Sequence, residues 1–137
     1  MALDVRGHAP LLWVYDMPTS VRFYRDLLGF KIVATSPTIG EDYFHWALLR
    51  LGGAELMLNT AFEANEDRPS EPDMGPTDGY RDIWLYFSCK DVDAAYEELR
   101  GKGVEANAPV ITGYGMKQMH FRDPDGYRLC FQWAAKS

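Results

Sequence analysis

Residues 11–34 read LLWVYDMPTSVRFYRDLLGFKIVA, and residues 85–108 read LYFSCKDVDAAYEELRGKGVEANA. Each is an apolar run, an Asp, an amphipathic stretch with an apolar period near 3.6, a Gly and a strand-like segment. Asp16 and Asp91 stand 75 positions apart. Two weakly similar halves in one small chain point to a pseudo-twofold arrangement, with a shared cleft as the place for a ligand.

Working outward from the first copy, Pro10 to Tyr15 is expected to be a strand. Thr19 or Ser20, next to Pro18, is expected to cap a helix. Val21, Tyr24, Leu27 and Leu28 share one face of that helix, and Gly29 ends it. Strands follow at Phe30 to Thr35 and Tyr43 to Arg50, and the Gly52-Gly53 turn leads into Glu55 to Asn59 as a hairpin. The second copy repeats the plan. Ile83 to Cys89 is a strand, and Asp91 or Asp93 caps a helix bearing Val92, Tyr96 and Leu99, which Gly103 closes. Val104 to Val110 is strand-like but interrupted by Pro109. Met116 to Arg122 and Tyr127 to Trp133 are strands around the turn DPDG. Residues 61–79 between the copies carry six acids, one Arg and three prolines without an apolar period, and read as a solvated connector or a loop over the cleft.

The chain has 137 residues, of which 47% are hydrophobic, and a formal net charge of −6. This fits one domain with a real core. The acidic balance argues against nucleic acid as a partner and permits a cationic ligand. Cys89 and Cys130 form no CxxC motif and read as reduced thiols. No apolar run approaches the ~20 residues that cross a bilayer. The opening MALDVRGHAP lacks the basic region and long apolar stretch of a signal peptide, so a soluble, cytoplasmic protein is expected.

Two segments carry a family signature. DMPTSVRFYRDLLGF (Asp16 to Phe30) resembles the first-helix motif of the vicinal oxygen chelate superfamily, and HFRDPDGYRLCFQW (His120 to Trp133) resembles its closing hairpin. The superfamily includes glyoxalases, extradiol dioxygenases, fosfomycin-modifying enzymes and bleomycin-binding resistance proteins. The resemblance covers nearly the whole chain. It implies an α+β fold of two βαβββ modules whose mixed sheets curl into a cup with helices outside. A single domain over 1–137 is expected, with module one at about 5–60, the linker loop at 61–79 and module two at about 80–134. It also implies a homodimer. Chemistry does not follow from the fold, which serves both enzymes and pure binders.

The enzymes of the superfamily hold a divalent metal at four cup positions with His, Gln or Glu. Carried across, these positions fall on Ala9, Met57, Trp84 and Cys130. Ala cannot ligate, Trp offers only a donor N–H, and Met and Cys are soft ligands. No metal or other cofactor is therefore expected. A divalent metal on a shifted set with Glu55 and His120 is the alternative. Strand alternation from the same positions gives the ligand-binding lining: Leu11, Trp13, Met57 and Asn59 from module one, with Glu55 near the rim, and Trp84, Tyr86, Gln118, His120 and Cys130 from module two, with Ser88 and Gln132. Phe121, Leu129 and Phe131 should point the other way, into the core.

Aromatic groups with a few amides and one His suit a small organic ligand, aromatic or cationic in character. The leading expectation is a metal-free, sequestering protein like the bleomycin-resistance branch, without turnover. The alternatives are a metal-dependent lyase, isomerase or dioxygenase with shifted ligands, and a metal-free enzyme with His120 as base. The same His120, or His45 on the Tyr43–Arg50 strand, could instead be a histidine satisfied by a neighbour. Cys130 reads as a small space-filling thiol.

Overall fold

The computed structural model describes residues 3–71 and 83–135. The chain divides into two compact units, Met1–Ser70 and Glu71–Ser137. The first unit holds β1 (Leu11–Trp13), α1 (Met17–Val21) continued by a π-helical turn (Arg22–Leu27), β2 (Lys31–Thr35), β3 (Trp46–Leu51) and β4 (Ala54–Asn59). The second holds β5 (Trp84–Ser88), α2 (Val92–Gly101), β6 (Val110–Ile111), β7 (Met116–Arg122) and β8 (Arg128–Ala134). The sheet orders are β1-β4-β3-β2 and β5-β8-β7-β6. In both, the first strand lies parallel to the last and the remaining pairs are antiparallel. Each unit is thus a βαβββ module with a mixed four-stranded sheet, as the duplicated sequence predicts. No described helix is long and apolar enough to cross a membrane.

The repeated Asp is the helix cap. The Asp16 carboxylate accepts from the Thr19 N–H at 3.2 Å, and the Asp91 carboxylate accepts from the Ala94 N–H at 3.0 Å. Each satisfies one of the amides a helix start leaves without a partner. The first helix therefore begins at Met17, and neither Thr19 nor Ser20 is its cap. Pro18 fits in the first turn because its missing N–H would have had no intrahelical acceptor.

The first helix also departs from a uniform 3.6 period. Over Arg22–Leu27 it widens to a π turn, closed by the Leu28 N–H on the Phe23 carbonyl at 3.1 Å. The extra residue per turn carries Phe23 into the core beside Val21, Tyr24 and Leu28, while Leu27 is only half-buried. Phe23, Tyr24 and Phe30 meet edge to face at 5.1 and 5.6 Å. Gly29, at φ +94°, then turns the chain into β2.

Alternation fixes two faces on each sheet. In the first, Leu12, Ala47, Leu49, Leu56 and Leu58 are buried, and α1 packs on β4. In the second, Met119, Phe121, Leu129 and Phe131 are buried, and α2 packs on β7 and β8. Phe121 and Phe131 meet at 5.0 Å. Burial of each such Leu, Met or Phe side chain contributes about 1.5–3 kcal/mol. The DPDG turn is held by its own first residue. Buried Asp123 accepts the backbone N–H groups of Asp125 and Tyr127, both at 2.9 Å, and Gly126 takes φ +88°. The interrupted segment Val104 to Val110 does not form a strand along its length. It contributes only the bridge Ala106–Phe121 and the short β6. Pro109 has no N–H to give a ladder.

Candidate functional site

The non-core face of the second sheet is built in rows across β5, β8 and β7. Register places Trp84, Arg128 and Arg122 in one row, Tyr86, Cys130 and His120 in the next, and Ser88, Gln132 and Gln118 in the third. Paired residues of a sheet share a face, so the five residues expected from this module stand together. Trp84 and Tyr86 are 39% and 52% exposed. The Trp84 and His120 rings meet edge to face at 5.1 Å, and the Arg128 guanidinium lies over the Trp84 ring at 5.4 Å. Gln118 is buried and its amide donates to Gln132 Oε1 at 2.9 Å and to the Tyr114 hydroxyl at 3.2 Å. Cys130 is fully buried beneath the same row, and burial pushes its thiol up to about 11. Desolvation also raises the Tyr86 phenol, and the neighbouring Cys130 adds to the effect.

The first sheet repeats the layout with different side chains. Leu11, Met57 and Leu48 form one row, and Trp13, Asn59 and Trp46 the next. Leu11 and Trp13 are 41% and 45% exposed. The row beside them holds Glu55 opposite Arg50, joined by an ion pair at 2.5 Å. Leu48 and Trp46 were absent from the expected lining. The signal for them lay in the Gly52-Gly53 turn. It pairs Leu51 with Ala54, and counting outward sets Leu48 opposite Met57 and Trp46 opposite Asn59. Arg128 and Arg122 were missed likewise, as charged residues beside a turn.

The loop after β4 is docked rather than merely solvated over its described part. The Tyr15 hydroxyl donates to the Pro69 carbonyl and the Tyr43 hydroxyl to the Phe62 carbonyl. His45 Nε2 lies 3.0 Å from the Glu63 carbonyl. Arg68 reaches Asp16 at 3.3 Å and lies over the Tyr15 ring at 5.3 Å. His45 is thus engaged by this loop. Residues 72–79 of the expected linker lie outside the described residues.

The four carried-over metal positions do not fit a hard divalent ion. Ala9 has no donor, Met57 offers a thioether, Trp84 is packed between Arg128 and His120, and Cys130 holds its proton. The Glu55 carboxylate is engaged by Arg50. Among the described residues, no group of three or more His, Cys, Asp or Glu side chains could hold a metal ion.

The duplicated βαβββ plan, the capping Asp of each copy and the closing DPDG hairpin define a vicinal oxygen chelate fold. The chain matches the Glyoxalase/Bleomycin resistance protein/Dioxygenase superfamily over residues 7–131 and belongs to it. Bacillus subtilis (strain 168) YraH is 31% identical over 116 residues, covering 83% of this chain and 87% of its own. Escherichia coli (strain K12) YaeR is 33% identical over 116 residues, covering 83% and 84%. Among solved structures, TnmS3, an antibiotic binding protein from Streptomyces sp. CB03234, matches with a TM-score of 0.67 at 24% identity, covering 98% of this chain and 99% of TnmS3. At that identity the likeness carries the fold alone.

Proposed function

We propose that this chain binds a small organic molecule on the aromatic sheet face of its second module, without a metal and without turnover. The observation that carries this reading is the half-exposed Trp84, set between the His120 ring and the Arg128 guanidinium, with exposed Tyr86 in the neighbouring row. Rings of this size left in water on the edge strand of a sheet face are ready to stack on a flat ligand, and flanking polar groups fix its orientation. The matching face of the first module, with Leu11, Trp13, Met57 and Asn59, is proposed as a surface of the same kind. The antibiotic-binding role of TnmS3 supports sequestration as a use of this scaffold.

Calorimetric titration against a panel of aromatic metabolites and cationic glycopeptide antibiotics tests the reading. Saturable binding is expected for at least one class, weakened about tenfold or more by Trp84→Ala, since a ring pair and its buried area are lost. No binding at millimolar concentration across the panel would overturn it. Metal analysis of protein purified without chelators tests the metal-free part. Stoichiometric Ni, Zn, Mn or Fe that disappears in Glu55→Ala or His120→Ala would replace this reading with a metal enzyme. We further propose a homodimer, which would cover the apolar edge strand β6, where Val110 and Ile111 are exposed. Sedimentation showing only monomer at micromolar concentration would contradict it.

A further inference from the structure

We infer that the ligand of the second module carries a neutral amide-type edge, a C=O beside an N–H as in a lactam or imide, and that the amides of Gln118 and Gln132 receive it. The inference rests on the binding role proposed above and names the ligand's chemistry. Gln118 on β7 and Gln132 on β8 pair directly, on the two inner strands of the second sheet. Their row continues to Ser88 on β5 and Val110 on β6. Gln118 is only 4% exposed. An amide is seldom buried on a sheet face unless its donors and acceptor are used. Tyr86 and Cys130 stand two residues back along β5 and β8, about 7 Å from the amide row. A flat ligand stacked on Tyr86 therefore brings its edge to the two amides.

Each amide uses one end on its neighbours and keeps the other. Gln118 Nε2 donates to Gln132 Oε1 at 2.9 Å and to the Tyr114 hydroxyl at 3.2 Å. Among the described residues, none donates to Gln118 Oε1 and none accepts from Gln132 Nε2. Gln118 Oε1 is not sealed from water either, so it belongs to the small part of the side chain that solvent reaches. Exchanging oxygen and nitrogen in both amides keeps both bonds, now donated to Gln118 by Gln132 and Tyr114, and swaps the free donor with the free acceptor. Whichever way the amides are turned, the pair offers one donor and one acceptor. A C=O beside an N–H answers both. An ammonium only donates and a carboxylate only accepts, so each would leave one amide group unmet once water is displaced. The first module lacks this device. Its equivalent row is Trp13, Asn59 and Trp46, which holds one amide and not a pair.

Two probes test this by calorimetry on the full chain: carbostyril, a flat bicyclic lactam, and its N-methyl derivative. The first presents a C=O beside an N–H, the second the C=O alone. Carbostyril is expected to bind at least about fivefold tighter, the effect of one hydrogen bond made in place of an unmet amide group. Gln118→Met and Gln132→Met keep the length of the side chain and remove its amide. Each should narrow the ratio of the two affinities to within about twofold. The ratio is taken on one protein, so a packing change felt equally by both probes cancels. If one variant does not fold the other carries the test, and the ratio on the unsubstituted chain carries it if neither does. Equal binding of the two probes, tighter binding of the N-methyl probe, or a preference that survives both substitutions would overturn this inference and leave the proposed binding role standing. Failure of both probes while another member of the wider panel binds would also overturn this inference alone. Failure across the whole panel would overturn both.

Discussion

Cys130 and His120 face each other across β8 and β7, and a thiol beside an imidazole invites a nucleophilic reading. The structure predicts the opposite behaviour. Burial pushes the Cys130 thiol from 9.0 to about 11, and its Sγ–H points to the Phe131 carbonyl at 3.7 Å. At pH 8 an ordinary thiol at 9.0 is about 9% ionised, whereas Cys130 would be about 0.1% ionised, a roughly hundredfold deficit in the reactive species. The side chain is also fully buried, so a reagent must wait for local opening. Iodoacetamide alkylation at pH 8, followed site by site by mass spectrometry in native and urea-unfolded protein, measures this. Native Cys130 is expected to react at least about 100-fold more slowly than the unfolded thiol. The stability sign follows from the same shift. Below about pH 9 both states hold the proton. Above it the unfolded thiol ionises first, so stability falls with rising pH by about 1.4 kcal/mol per unit until about 11. Cys130→Ala should remove that part of the alkaline loss. Native alkylation as fast as in urea, and slowed by His120→Ala, would refute the reasoning and make the pair an activated nucleophile.

Removal of either capping carboxylate should cost about 1 kcal/mol from the cap alone. Asp16→Ala should cost about 1–2 kcal/mol more than Asp91→Ala in urea unfolding, because Asp16 also holds Arg68 and Asn65. Equal losses would mean the loop contacts contribute nothing. Asp42→Asn deletes a two-pronged pair with Arg25, at 2.8 and 2.9 Å, and should cost about 1 kcal/mol at pH 7. Arg25 lowers the Asp42 carboxyl, so that stabilisation is present above its unfolded value and lost as pH falls through the folded one. Unfolding curves of the two proteins should therefore converge at acid pH. Tyr15→Phe removes the bond to the Pro69 carbonyl and should speed amide exchange in residues 61–70 while costing about 1 kcal/mol globally. Unchanged exchange there would show that Tyr15 does not anchor the loop.

The duplicated plan was legible because its signals are local: a capping Asp, an amphipathic turn, a Gly, and a hairpin turn whose chemistry sets register. The face of each sheet was legible for a related reason. Alternation has period two, so one correct anchor per strand orients every neighbour. Local rules failed where a longer-range contact decides. Phe23 was not among the expected apolar face of Val21, Tyr24, Leu27 and Leu28, because a 3.6-period count does not include the π turn over Arg22–Leu27. Leu48 and Trp46 were readable only by carrying the register of Met57 and Asn59 across the Gly52-Gly53 turn, and Arg128 and Arg122 by carrying that of Trp84 across two strand pairs. The acidic loop was read as a solvated connector or a loop over the cleft, because composition cannot show that Asp16 and Tyr15 will hold Arg68, nor that His45 and Tyr43 will meet its backbone carbonyls.

The two copies locate function by where they differ. Cap, closing Gly and core rows serve the same purpose in both, since each module must start its helix and bury one sheet face. The opposite face is under no such demand, and there the copies part. Leu11, Met57 and Leu48 occupy the places of Tyr86, Cys130 and His120, while Glu55 with Arg50 occupies those of Arg128 with Arg122. An apolar, internally neutralised face can add contact area but cannot discriminate charge. The second face sets a half-exposed indole against an imidazole, with an exposed phenol in the next row. Affinity for a flat ligand should therefore fall with Trp84→Ala on the second sheet, measured by the same calorimetric titration.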